Sequence, residues 1–212
     1  MGKSPLTAQA MDAYRNLMLE IKYRTDAIDD ALAGKMRMRA RITEEHCYLQ
    51  LRMICEVLAI ACLVVHGSLN PRPKLFQTHK ADFIMKELEK LHSKFFPQPL
   101  EEQDAIGPFG VPDFVHRKSG FLSHKELQTL WNRQCGNMLH RGNARDILSK
   151  EREPDFAKVS AWRDKIVALL NRHVILTPDE EWMFYVVMHE QNTGNVASNL
   201  FQRQPQPVSN TK

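Results

Sequence analysis

The stretch at 42–66, ITEEHCYLQLRMICEVLAIACLVVH, limits what this chain can fold into more than any other. From Ile54 onward nearly every position is apolar. A helix with so little polar surface must be covered on several sides, which predicts the central helix of a bundle. The longest apolar run, Met53–Val65, is interrupted by Glu56. It falls short of the roughly 20 residues a bilayer span needs, so a core helix is expected and no membrane partner. Thr43 with Glu44 and Glu45 suits the helix start, and Gly67 suits its end.

Other helical patterns flank this one. Over 7–33, Leu17, Ile21 and Ile28 recur near helical spacing, and Gly34 comes next as a C′ residue. The basic KMRMRAR (35–41) is either a turn or the first part of the next helix. Residues 78–94 are amphipathic, with Phe83, Ile84, Leu88 and Leu91 as the apolar stripe. At 123–140, Ser123 and Glu126 have the spacing of a capping box. Another helix is expected near 154–172, its core face formed by Phe156, Val159, Trp162, Ile166, Leu169 and Leu170. Between these lies FFPQPLEEQDAIGPFGVPDF (95–114), with four prolines and two glycines. It predicts a long loop, with room for a short strand near 111–116.

The C-terminal part has a different character. Trp, Met, Phe, Tyr and two Val fill 182–187, and strand formers dominate there. Three short strands, at about 173–177, 182–189 and 196–201, form an antiparallel meander in this reading. Thr177-Pro178-Asp179-Glu180 is also a helix start, so 178–190 admits a helical alternative. The expected fold is therefore mainly α (α+β): a helical bundle over 1–172, a small β-meander over 173–202 packed on it, and a disordered tail over 203–212.

Charge and cysteine use narrow the function classes. A net charge of +4 is too mild to announce a nucleic-acid binder. The charge is uneven, however: Trp131–Arg152 holds five Lys/Arg against two acids, which keeps a polyanion partner open. The start, MGKSPLTAQAMDAY, has no apolar signal region and does not meet the myristoylation pattern. Cys47, Cys55, Cys62 and Cys135 form no CxxC pair and are expected to be free structural thiols. These features point to the cytoplasm. No Walker loop, GxSxG, HExxH or dinucleotide fingerprint occurs, and the histidines show no ligand spacing, so neither cofactor nor metal is expected.

The candidate site lies in NRQCGNMLHRGN (132–143). Arg133 precedes His140 by seven residues, almost two helical turns, so both side chains are expected to leave the same face. Asn137 joins them there, opposite the apolar wedge of Leu127, Trp131 and Met138. A His near neutral pKa moves protons, and an Arg fork holds phosphate. The plain structural alternative is a surface Arg133 and a His140 that caps the helix C-terminus. On 42–66, Arg52 and Glu56 are an i,i+4 pair. Glu56 sits in an apolar run and needs a partner. Arg52 is the simplest; the alternative is that Glu56 reaches the motif helix and orients Arg133 or His140.

An Arg-x6-His motif late in a helical bundle resembles the HEPN superfamily, over about residues 7–172. The residue after the Arg is Gln134, where Asn, Asp or His is more usual in that family. The resemblance implies a homodimer, with two motifs facing each other in a composite site. It also implies RNA or protein binding and, in many members, metal-independent RNA cleavage of a toxin or phage-defence type. Arg133 and His140 would be the catalytic residues, assisted by Asn137, with Glu56 and Arg52 supporting. The competing class is a non-enzymatic interaction or dimerisation module whose apolar stretch Trp182–Val187 docks a partner.

Overall fold

The computed structural model describes residues 6–69, 73–106, 112–140 and 153–202. Helix α1 (Ala8–Leu32) starts at Thr7, whose hydroxyl accepts the Ala10 N–H. It ends at Gly34, whose φ of 72° is open to glycine at little steric cost. The basic stretch 35–39 lies outside any helix, and α2 (Ala40–Val65) begins after Arg39. Thr43 thus lies inside the first turn, where its hydroxyl donates back to the Arg39 carbonyl at 3.3 Å.

Helix α2 is the centre of the bundle. By length and composition it could cross a membrane, yet 61% of its most apolar 18-residue window is buried within this chain. Tyr48, Leu51, Ile54, Leu58 and Cys62 are fully covered, as the lack of a polar face required. On α1 the core side is Tyr14, Met18, Ile21 and Ile28, with Leu17 packed at its margin. On α3 (Ala81–Leu91) it is Ala81, Ile84, Met85 and Leu88. Phe83 and Leu91, expected in that stripe, are instead exposed, because the helix presents a narrower face to the core.

The stretch expected to be a long loop is where the structure differs most. It forms two strands, β1 (Gln98–Ile106) and β2 (Pro112–His116), paired antiparallel. The second matches the short strand expected near 111–116. The first was hidden by Pro97 just before it, by Pro99 within it and by EEQD, none of which looks like a strand. Helix α4 (His124–Thr129), a π turn (Leu130–Cys135), α5 (Gly136–Leu139) and α6 (Phe156–Leu170) come next along the chain. The three C-terminal strands are β3 (Arg172–Leu176), β4 (Trp182–Val187) and β5 (Ala197–Gln202), close to the expected bounds. Strand, not helix, is thus the outcome at 182–187. The sheet is antiparallel with order β2-β1-β3-β4-β5. The fold is mainly α with an antiparallel sheet, and the tail at 203–212 lies outside the described residues.

The sheet has two unlike faces. His173, Ile175, Phe184, Val186 and Leu200 point at the bundle and join or adjoin its core. The Tyr14 ring meets Phe184 edge-on at 5.5 Å. The opposite face carries Val174, Leu176, Met183, Tyr185 and Phe201 by strand register.

Candidate functional site

The segment that carries Arg133, Asn137 and His140 starts from a well-made cap. Ser123 and Glu126 form the expected capping box, each side chain taking the other's backbone N–H. Lys165 of α6 donates to Glu126 from the other side. Leu127, Leu130, Trp131 and Cys135 then bury against the bundle. Arg133, Asn137 and His140 are exposed. None of the three side chains has a hydrogen bond or ion pair to another described residue.

The straight helix assumed for this stretch is not what forms. Residues 130–135 make a π turn, with one residue more than an α turn. That extra residue rotates the next turn, α5, by about 100° relative to an unbroken α-helix. The helix then ends at Leu139, and His140 is its C-cap, with extended backbone (φ −94°, ψ 135°) and its N–H on the Gly136 carbonyl. His140 therefore occupies the end position of the plain structural alternative. The seven-residue spacing no longer fixes the relation of His140 to Arg133, because both the twist and the backbone direction change between them.

Beneath the π turn lies the supporting pair. Glu56 does reach across to the motif segment, but its partner there is Trp131, not Arg133 or His140. The Trp131 indole N–H donates to Glu56 Oε1 at 2.8 Å. Arg52 Nε reaches the same oxygen at 3.2 Å, the expected i,i+4 bridge. The Arg52 guanidinium also stacks on the Trp131 ring, 4.6 Å from its centroid. Ring, carboxylate and guanidinium form a closed triad that ties α2 to the π turn. Cys55 and Cys135 lie beside it, and burial pushes the Cys135 thiol up to about 12. All four cysteines are free and buried, and the two thiols beside the triad stay protonated at neutral pH.

Three further polar nodes were not anticipated. Glu44 is fully buried and accepts the N–H of Asp155, the residue that caps α6, at 2.8 Å. The signal was present: Glu44 stands three, four and seven residues before Cys47, Tyr48 and Leu51, on the buried face. His173 is fully buried, with Nδ1 2.8 Å from the Leu170 carbonyl and Nε2 2.7 Å from the Tyr14 hydroxyl. Only an N–H can donate to a carbonyl, so Nε2 is the acceptor and Tyr14 donates. Burial pushes His173 down to about 4. His66 is likewise pushed down to about 4 by burial, its Nε2–H on the Phe95 carbonyl at 2.9 Å and its ring edge-on to His92 at 5.3 Å.

Among the described residues no group of three or more His, Cys, Asp or Glu is placed to hold a metal. A cleft of about 160 Å³ lies between α1 and α6, floored by Ile21, Ile166 and Leu170. Its one arginine, Arg163, is held bidentate by Asp29 at 2.6 Å on both oxygens. No family model matches this sequence, and no curated protein and no solved structure matches it either.

Proposed function

We propose that this chain is a HEPN-like RNA-binding protein that acts through the strip of Arg133, Asn137 and His140, in a reducing compartment such as the cytoplasm. The observation that carries this reading is the contrast within one short segment. Its inward side is locked by Leu127, Trp131 and Cys135 and by the Glu56 triad, while the three outward polar side chains engage no described neighbour. An arginine held out on a rigid base is available to a phosphate, and an asparagine near it offers both donor and acceptor. The histidine at the helix end supplies the proton-transfer group for cleavage at a ribose 2′-OH. The resemblance in the motif joins this geometry to RNA.

The test is incubation of the purified protein with a mixed pool of labelled RNAs in EDTA, beside Arg133→Ala and His140→Ala. RNA retention that falls in Arg133→Ala supports the binding reading. Metal-free cleavage lost in both variants extends it to a ribonuclease. Neither retention nor cleavage by the wild type, or activity indifferent to both substitutions, rejects the reading. It would leave His140 as a helix cap and the protein as an interaction module.

A further inference from the structure

We propose that the cleft between α1 and α6 is a binding site for a small primary amine whose apolar body is about the size of one ring. The proposal does not rest on the RNA reading, and the cleft shares no residue with the Arg133 strip.

The cleft exists because the apolar stripe of α1 is interrupted. Tyr14, Met18, Ile21 and Ile28 form the core side of that helix. The position that continues the stripe between Ile21 and Ile28 is Thr25. Its side chain is short, and its hydroxyl donates back to the Ile21 carbonyl at 2.9 Å. The space a longer apolar residue would take stays open between the two helices, about 160 Å³ of it. The floor is Ile21, Ile166, Leu170 and Met188, all buried members of the hydrophobic core. An apolar cavity of about 150 Å³ takes up benzene. The floor therefore suits a single ring or a chain of about six carbons.

The rim decides the head group. Arg163 is held by both oxygens of Asp29 at 2.6 Å and also meets Asp164 at 2.7 Å. A guanidinium shared by two carboxylates offers little to an anion. Lys22 stands four residues before Asp26, yet its ammonium turns to the Gly194 carbonyl. The Asp26 carboxylate is exposed at the rim and engages no described neighbour. Three carboxylates, Asp26, Asp29 and Asp164, stand against two cations, Lys22 and Arg163, so the unmatched charge is negative. The rim also holds Asn171, the C-cap of α6, and the carbonyl end of a helix favours a cation. The side chains of Asn171 and His189 line the cleft, are exposed and engage no described neighbour. An ammonium has three N–H donors and no acceptor. A carboxylate, an amide carbonyl and a neutral imidazole nitrogen each accept. A carboxylate ligand would instead meet Asp26 as a like charge, and a neutral one would leave Asp26 unmatched.

A titration of the full-length protein followed by NMR chemical shifts tests this, with benzylamine as the probe. Benzyl alcohol and benzoate keep the ring and change the head group. Benzylamine should bind one to one with a dissociation constant of about 1 mM, ordinary for a molecule of this size. The alcohol and the acid should each bind about tenfold more weakly or worse. Asp26→Asn keeps the shape of an exposed side chain, removes its charge, and should weaken benzylamine by about tenfold with circular dichroism unchanged. Val167→Trp, at the partly exposed lip of the cleft, should occlude it and abolish binding. The Arg133→Ala/His140→Ala protein should bind benzylamine as the wild type does. A wild type that shows no saturable binding of benzylamine overturns the proposal. So does equal binding of benzyl alcohol or benzoate, an affinity indifferent to Asp26→Asn, or binding that survives Val167→Trp.

Discussion

The two sides of the α4–α5 segment use polar residues in opposite ways. Inward, Trp131 meets Glu56 and Arg52 in a triad that joins the indole N–H and the guanidinium to one carboxylate oxygen. Outward, Arg133, Asn137 and His140 engage no described neighbour. Elsewhere in the fold the inward pattern repeats at Glu44, at Tyr14–His173 and at His66. Buried polar groups here hold elements together, because leaving any of them unpaired costs more than pairing them gains. The three exposed polar groups make no such tie among the described residues. The difference is measurable: inward changes should cost stability, and outward changes should cost only binding or activity.

The largest expected effect comes from acid. His173 and His66 both have pKa values pushed from 6.5 down to about 4 by burial. The unfolded chain therefore takes up these protons more readily than the folded one. Stability is unaffected by the pair above pH 6.5 and falls as pH drops toward 4, by about 3 kcal/mol for each group at pH 4. Urea denaturation at pH values of about 7.5, 5.5 and 4.5 checks the sign and the slope. A stability that rises on acidification in this window would remove both histidines from the set of buried neutral nodes.

Next is Glu56→Ala. It leaves the Arg52 guanidinium and the Trp131 N–H without their shared oxygen, and should cost roughly 3 kcal/mol in the same denaturation experiment. Tyr14→Phe removes one neutral hydrogen bond and leaves His173 Nε2 buried without a donor, a loss of about 1–2 kcal/mol. The smallest effect sharpens the contrast. Arg133→Ala and His140→Ala should each change stability by no more than about 0.5 kcal/mol. A larger loss at either would mean that the outward strip helps hold the fold, and would place those residues with the structural nodes.

Much of this architecture was legible in the residue pattern. The apolar excess of 54–65 required a central helix, and α2 is one. Gly34, the Ser123–Glu126 box and the aromatic and β-branched run at 182–187 each marked the element that forms there. These are local signals, set by side-chain size, branching and hydrogen-bonding capacity within a few residues of one another. The i,i+4 bridge from Arg52 to Glu56 belongs with them, since helical spacing alone brings the two together.

What local pattern did not contain was decided by packing between distant segments. Strand β1 exists because β3 and β2 supply hydrogen-bond partners to a sequence with weak strand propensity of its own. The π turn at 130–135 lets Leu130, Trp131 and Cys135 all bury against the bundle, at the expense of the regular helix on which the Arg133–His140 spacing was reckoned. Glu56 was recognisable as a carboxylate in need of a partner. That the partner is Trp131 depended on which turn of a helix 75 residues away lands above it. Sequence alone determined the central helix α2, the capped start at Ser123, the strand at 182–187 and the need of Glu56 for a partner, because each is set by residues a few positions apart. The tertiary structure decided who meets whom, because a contact between remote positions depends on how whole elements pack.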